Sequence, residues 1–161
     1  ERAEELARIV TRSAGLLKLD LAPDGAMEIA RRSRGTPRTA NRLLRRVRDF
    51  AQVAGSSVID REAADRGLSL LGVDGLGLEP LDRRFLEVIC NHFQGGPVGI
   101  QNLAVSLGEE QDTLEDVVEP FLIQSGLLKR TPRGREVTRG GWRHLGLEPP
   151  ADAASSQGEL L

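Results

Sequence analysis

Arg38 stands in the first turn of an expected helix, and the chemistry of this chain is most concentrated there. Gly35 reads as a helix stop, because glycine alone sits easily in the left-handed cap conformation. Thr36 reads as the N-cap of the next helix, and Pro37 as its first residue, where a missing N–H costs nothing. The guanidinium of Arg38 then emerges beside free backbone N–H groups and the positive end of the helix dipole, a natural receiver for an anion. Arg42 and Arg45 share its face, while Ala40, Leu43, Leu44, Val47, Phe50, Ala51 and Ala54 form the opposite, apolar one. From Ile29 to Arg48 there are eight arginines and no acidic residue. Such a face reads in two ways, as a solvated helix surface or as one that meets phosphate.

A second cationic group lies near the end of the chain. Lys129, Arg130, Arg133, Arg135, Arg139 and Arg143 stand against Glu136 alone. Thr131-Pro132-Arg133-Gly134 has Pro and Gly in turn positions, so its flanks Leu127–Arg130 and Arg135–Thr138 read as a two-stranded hairpin. The preceding helix has the opposite character. No lysine or arginine occurs between Arg84 and Lys129, and Glu109, Glu110, Asp112, Glu115, Asp116 and Glu119 are all acidic. Phosphates repel such a surface, which argues against sequence reading by that helix in a major groove. A basic loop, by contrast, holds phosphates without reading bases, unless its charge serves solubility alone.

The elements that must position these residues fall into two groups. A first helix carries Leu6, Ile9, Val10, Ser13, Leu16 and Leu17 on one face. A second opens at Asp24-Gly25 and runs to about Arg34, with Ala26, Ile29 and Ala30 inward. The third follows the Thr36 cap and ends at Ala54-Gly55-Ser56-Ser57. Asp60 caps a fourth, where Ala64, Gly67, Leu68 and Leu71 share a face. Together these make a small four-helix bundle over residues 1–73. Gly72-Val73-Asp74-Gly75-Leu76-Gly77-Leu78 reads as a linker. Beyond it, Leu81, Phe85, Leu86, Ile89 and Phe93 mark a buried helix, and Gly95-Gly96-Pro97-Val98-Gly99 a tight turn. Ile100, Leu103, Ala104 and Leu107 mark a second helix stopped by Gly108. A third starts at Asp112 or Thr113, with Thr113 and Asp116 at capping-box spacing. It carries Leu114, Val117, Val118, Phe121 and Leu122 inward and is bent or restarted at Pro120. Three helices and a hairpin are a winged helix, here over residues 74–147, with Trp142 and Leu145 on a short closing helix. The expected fold is therefore mainly α, with a β-hairpin wing. Residues 148–161 have little to bury and are expected to be a disordered tail.

The bulk properties allow this and exclude much else. Net charge is −2, hydrophobic content 39% and charged content 29%, as in a soluble globular protein. The single Cys90 excludes an internal disulfide and lies in an apolar helix, so it is expected to be buried rather than reactive. His92 and His144 are far apart with no cysteine pair, so no metal site is expected. No apolar run is long enough to cross a bilayer. The sequence contains no Gly-x-x-x-x-Gly-Lys-Ser/Thr phosphate loop. Glu4-Glu5-Leu6-Ala7-Arg8-Ile9-Val10 is already helical in pattern, as if the chain were cut from something longer.

Arg31-Arg32-Ser33-Arg34-Gly35-Thr36-Pro37-Arg38, running on through Asn41-Arg42-Leu43-Leu44-Arg45-Arg46-Val47-Arg48-Asp49, resembles the small ATPase subdomain, or AAA+ lid, of the RuvB family. The likeness continues in Gly95–Gly99, Thr113-Leu114-Glu115-Asp116-Val117, Glu119-Pro120-Phe121-Leu122-Ile123-Gln124 and Arg130-Thr131-Pro132-Arg133-Gly134-Arg135, and it extends to Leu147. That family comprises bacterial AAA+ helicases that drive Holliday junction branch migration in DNA recombination and repair. The resemblance implies that Arg38 is the "sensor 2" arginine that reaches nucleotide phosphates, with Pro37 beside it in the ATP site. It implies DNA contact by Arg130 and Arg135 first, and Arg133 next. It implies ATP and magnesium held by an N-terminal domain outside this sequence, so this piece alone is expected to hold neither and to hydrolyse nothing. Further implied are a cytoplasmic homohexameric ring on double-stranded DNA at Holliday junctions, with RuvA and RuvC as partners and no membrane. The RuvA surface is implied in the missing domain, and this piece alone is expected to be a monomer. The alternative is a non-enzymatic winged-helix DNA-binding regulator whose bundle oligomerises. It would prefer particular DNA sites, whereas a motor wing binds duplexes alike, with steep salt dependence.

Overall fold

In the computed structural model, which describes residues 2–55 and 57–151, the chain forms two units, Glu1–Pro80 and Leu81–Leu161. The first is built from α1 (Ala3–Leu16), α2 (Pro23–Arg31), α3 (Pro37–Ala54) and α4 (Arg61–Leu70). Their apolar stripes meet in one core: Leu6 and Val10 from α1, Ile29 from α2, Leu43, Leu44 and Val47 from α3, and Leu68 from α4 are all buried. Each large side chain withdrawn from water in this way contributes about 1.5–3 kcal/mol before chain entropy is subtracted.

The starts of α3 and α4 follow from capping chemistry. The Thr36 hydroxyl accepts the Thr39 N–H at 3.2 Å, with Pro37 in the first turn. The Asp60 carboxylate accepts the Ala63 N–H at 2.9 Å. The end of α3 at Ala54, with Gly55 (φ 75°) as its left-handed cap, also agrees with the sequence, whereas the bounds of α2 differ. α2 begins at Pro23 and ends at Arg31, earlier than expected, because residues 32–35 form a tight turn in which Arg34 (φ 60°) and Gly35 (φ 73°) are both left-handed. Leu16 is 82% exposed and Ala54 is exposed, since both sit at the last turn of a helix that has already passed the core. The glycine-rich run after α4 is folded onto the first unit. Val73 and Leu78 are buried, and the Asp74 carboxylate accepts the N–H groups of Leu76 and Leu78 at 3.0 and 2.9 Å.

The second unit contains α5 (Pro80–His92), α6 (Ile100–Leu107), α7 (Gln111–Thr113), a π-helical turn (Leu114–Val118), α8 (Glu119–Gln124), β1 (Leu128–Thr131), β2 (Gly134–Val137) and α9 (Arg139–His144). Its core holds Phe85, Leu86, Ile89, Leu103, Leu114, Leu122 and Val137. β1 and β2 pair antiparallel from Leu128↔Val137 to Thr131↔Gly134, so Pro132 and Arg133 alone form the loop. Val98 adds a third antiparallel rung against Arg135, with N···O distances of 3.1 and 2.8 Å. Gly134 is required there: its φ is +134°, and a Cβ would collide with the Val98 carbonyl oxygen.

The expected start of the third helix is corrected. It starts at Gln111 after Glu110, and Thr113 has helical dihedrals and caps nothing, so the capping box does not form. As expected, the helix restarts at Pro120: α8 begins at Glu119 with Pro120 in its first turn. Lacking an N–H, it leaves the ladder one donor short, and the helix widens just before it, where the Glu119 N–H reaches the Leu114 carbonyl five residues back. That extra residue shifts the phase of everything downstream. Val117, expected inside, is 56% exposed, while Glu119, expected on the acidic surface, is fully buried. The tail expectation for residues 152–161 lies outside the described residues, as does Ser56. Among the described residues no helix is long and apolar enough to cross a membrane.

Candidate functional site

The tip of α3 presents Arg38 to solvent. Thr36 satisfies the first turn from below, Pro37 brings no N–H, and Ala40 anchors the opposite face in the core. Among the described residues Arg38 has neither an ion pair nor a hydrogen-bond partner. Its neighbours are otherwise engaged. Arg42 donates from Nη2 to Glu79 Oε1 at 2.9 Å. Arg34 reaches the other carboxylate oxygen from Nη1 at 3.5 Å. Arg32 is buried, donating from Nε to Glu28 Oε2 at 2.9 Å and pairing through Nη2 with Asp65. Of the arginine run, Arg38 is thus the free guanidinium at a helix N-terminus, a geometry that suits two phosphate oxygens. These residues fit one side of a bound nucleotide. They do not extend to its metal: among the described residues no group of His, Cys, Asp and Glu is placed to hold an ion.

The wing is arranged differently. Glu119, with 0% side-chain exposure, is held between two wing arginines. Arg130 Nη2 donates to its Oε2 at 2.6 Å. Arg135 Nε donates to its Oε1, and Arg135 Nη2 reaches Oε2 at 3.3 Å. The Arg135 side chain is only 15% exposed, and its backbone is fixed by Val98. Arg130 is 56% exposed and still faces water. Lys129 is paired across the strands with Glu136 at 3.2 Å. Arg133 is exposed in the two-residue loop, and its backbone N–H is held by the Thr131 hydroxyl at 3.2 Å. Arg143 is exposed on α9.

The wing arginines expected from the sequence therefore come together, but around a carboxylate. Arg135 is bound inward, Arg130 is shared between Glu119 and solvent, and Arg133 is exposed in the loop. Glu119 was missed as a partner because its acidic neighbours suggest a surface stripe. The only hint in the sequence was Pro120, which forces the change of helical phase that turns Glu119 inward.

The remaining chemical candidates recede. Cys90 is buried, and its thiol is pushed up to about 12, mainly by desolvation and secondarily by the charge of Glu87, so it stays protonated and unreactive near neutral pH. A polar cleft on the first unit is lined by Asp24, Glu28, Arg32, Asp60, Arg61, Glu62 and Asp65. Its Arg32 and Arg61 already bind Glu28.

Residues 2–74 match the family model of the RuvB AAA lid domain, and residues 75–146 that of the RuvB C-terminal winged helix domain. The chain is 59% identical over 159 residues to the Holliday junction branch migration complex subunit RuvB of Granulibacter bethesdensis, covering 99% of this chain and 44% of that protein. The solved Thermotoga maritima RuvB Holliday junction branch migration motor superposes with a TM-score of 0.89 at 44% identity, over 92% of this chain and 50% of that one. A point mutant of the same protein matches equally, with a TM-score of 0.89 at 44% identity. The chain thus spans about half the length of the relatives it matches.

Proposed function

The chain belongs to the RuvB family, and from that premise we propose that it supplies the nucleotide-sensing lid and the DNA-gripping head of an ATP-driven motor for Holliday junction branch migration. In this proposal residues 1–73 are the lid and 74–147 the head. ATP and magnesium are used by the complete protein, whose phosphate loop is not in this sequence. The complete protein works as a hexameric ring on duplex DNA in the bacterial cytoplasm, with RuvA and RuvC as partners. The 161-residue piece by itself is inactive as an ATPase.

The exposed guanidinium of Arg38, unpartnered among the described residues, at the capped start of α3 carries this proposal. Arginine offers two parallel donors to phosphate oxygens, a geometry lysine does not copy. Loss of the terminal phosphate removes charge from its reach, and the lid is then free to turn against the ATPase core. The head supports the same role. Its acidic third helix is unsuited to a groove, whereas Arg133 and the open side of Arg130 are placed to hold phosphates of any sequence. That asymmetry also disfavours the regulator alternative, which needs base contacts from the third helix.

Replacing Arg38 with Ala in the complete motor tests the assignment. Nucleotide binding should remain measurable while ATP hydrolysis and branch migration fall by at least about a hundredfold, the scale of losing a charge-assisted contact to a transferring phosphate. Turnover at the wild-type rate would refute the role of Arg38.

A further inference from the structure

The run from Gly72 to Glu79 looks in sequence like a flexible joint, with Gly72, Gly75 and Gly77 in close order. In the fold it is fastened to the first unit at successive points. Val73 is buried, its N–H bonds the Leu68 carbonyl at 2.9 Å, and its own carbonyl accepts Arg32 Nη1 at 3.4 Å. Asp74 closes a turn over Leu76 and Leu78, and Leu78 is fully buried. Gly77, at φ +95°, lies so close to the Arg32 backbone that a Cβ would stand 2.8 Å from its carbonyl oxygen. Glu79 ends the run with one carboxylate divided between two arginines. Oε1 accepts from Arg42, one helical turn beyond Arg38 on α3, and Oε2 faces Arg34 in the turn that precedes α3. The Arg34 side chain is 10% exposed, that of Glu79 30% and that of Arg42 50%, so the contact with Arg34 is the more sheltered of the two and that with Arg42 the shorter.

From this we propose that Glu79 is a positioning residue that locks the chain's exit from the lid to the helix carrying Arg38. A shift of α3 is then passed to residue 80 and onward instead of being lost in a slack glycine run. The proposal rests on the motor reading above and assigns to this segment the work of transmission, which needs a stiff element biased by the sensing site. The chemistry is sufficient for it. Glu79 reaches both flanks of the α3 start, and Asp74, Val73 and Leu78 fix the backbone between α4 and Glu79.

The test compares Glu79→Ala and Glu79→Gln with wild type in the complete motor, reading base pairs of junction moved per ATP hydrolysed. Glu79→Ala should keep DNA-stimulated hydrolysis within about twofold and lower base pairs per ATP by at least about fivefold, the lower end of typical coupling between sites. Glu79→Gln keeps an acceptor for Arg42 and should fall between the two. An unchanged ratio in Glu79→Ala would overturn the proposal, as would an equal fall in hydrolysis and movement. If wild type itself fails to turn hydrolysis into movement, the motor reading falls instead. Amide hydrogen exchange on the 161-residue chain then decides the clamp separately. Faster exchange at Leu78 in Glu79→Ala, by at least about tenfold, supports a pinned exit, and unchanged exchange refutes it.

Discussion

Arg38 projects from the start of α3 with its charge uncommitted among the described residues, whereas Arg135 lies in β2 with its charge spent on Glu119 inside the head. Both are arginines in short basic runs of similar composition. What separates them is the support beneath. On α3 the capped first turn places a guanidinium in water, with no carboxylate on it among the described residues, so an arriving phosphate gains it whole. On the wing the widened helix turns a carboxylate inward, and the hairpin is docked through that charge. A basic cluster thus leaves a guanidinium open in one unit and, in part, serves construction in the other.

The contrast breaks most sharply at Glu119. Replacing Arg135 with Ala leaves a buried carboxylate with one partner, and replacing Glu119 with Ala leaves Arg135 sheltered and unpaired. Each should cost the head about 3–5 kcal/mol, measured by chemical denaturation, because a broken buried pair strands a charge. The double replacement should cost clearly less than the sum of the two, since the interacting groups leave together. Additive losses would mean that the pair does no structural work.

A smaller effect is expected at the other site. Thr36→Ala removes the cap of α3 and should lower the stability of the lid by about 1 kcal/mol. It should also weaken nucleotide coupling in the complete motor, because Arg38 loses the fixed first turn that aims it. A Thr36→Ser variant retains the hydroxyl and should lose little of either.

Much of this was legible in the residues themselves. Thr36, Pro37 and Asp60 announced two helix starts through capping chemistry, and the Pro132-Arg133 loop announced the hairpin. Apolar spacing gave the buried faces of α3 and α5, where helices are regular. It failed at Val117 and Glu119, where the helix widens just before Pro120 and the 3.6-residue count no longer holds. At Gly72–Leu78 the linker reading came from the glycines alone. Glycine spacing signals freedom of the backbone but does not reveal that Arg32 and Glu79 will use that freedom to pin a close approach. The sequence showed which wing residues are basic. Which of them face solvent depends on one distant carboxylate, and no local pattern records that.

The central claim is that guanidinium surface left open to water, and not that spent on a carboxylate, meets phosphate. Duplex DNA binding by Arg133→Ala, measured across a salt series and beside its unfolding curve, tests it most directly. Affinity should fall alike for unrelated sequences, and the slope of log affinity against log salt should shrink by about one, as for one lost phosphate contact. Stability should stay within about 0.5 kcal/mol of wild type. An unchanged salt slope in Arg133→Ala, together with a stably folded Arg135→Ala that loses one phosphate contact, would contradict the account.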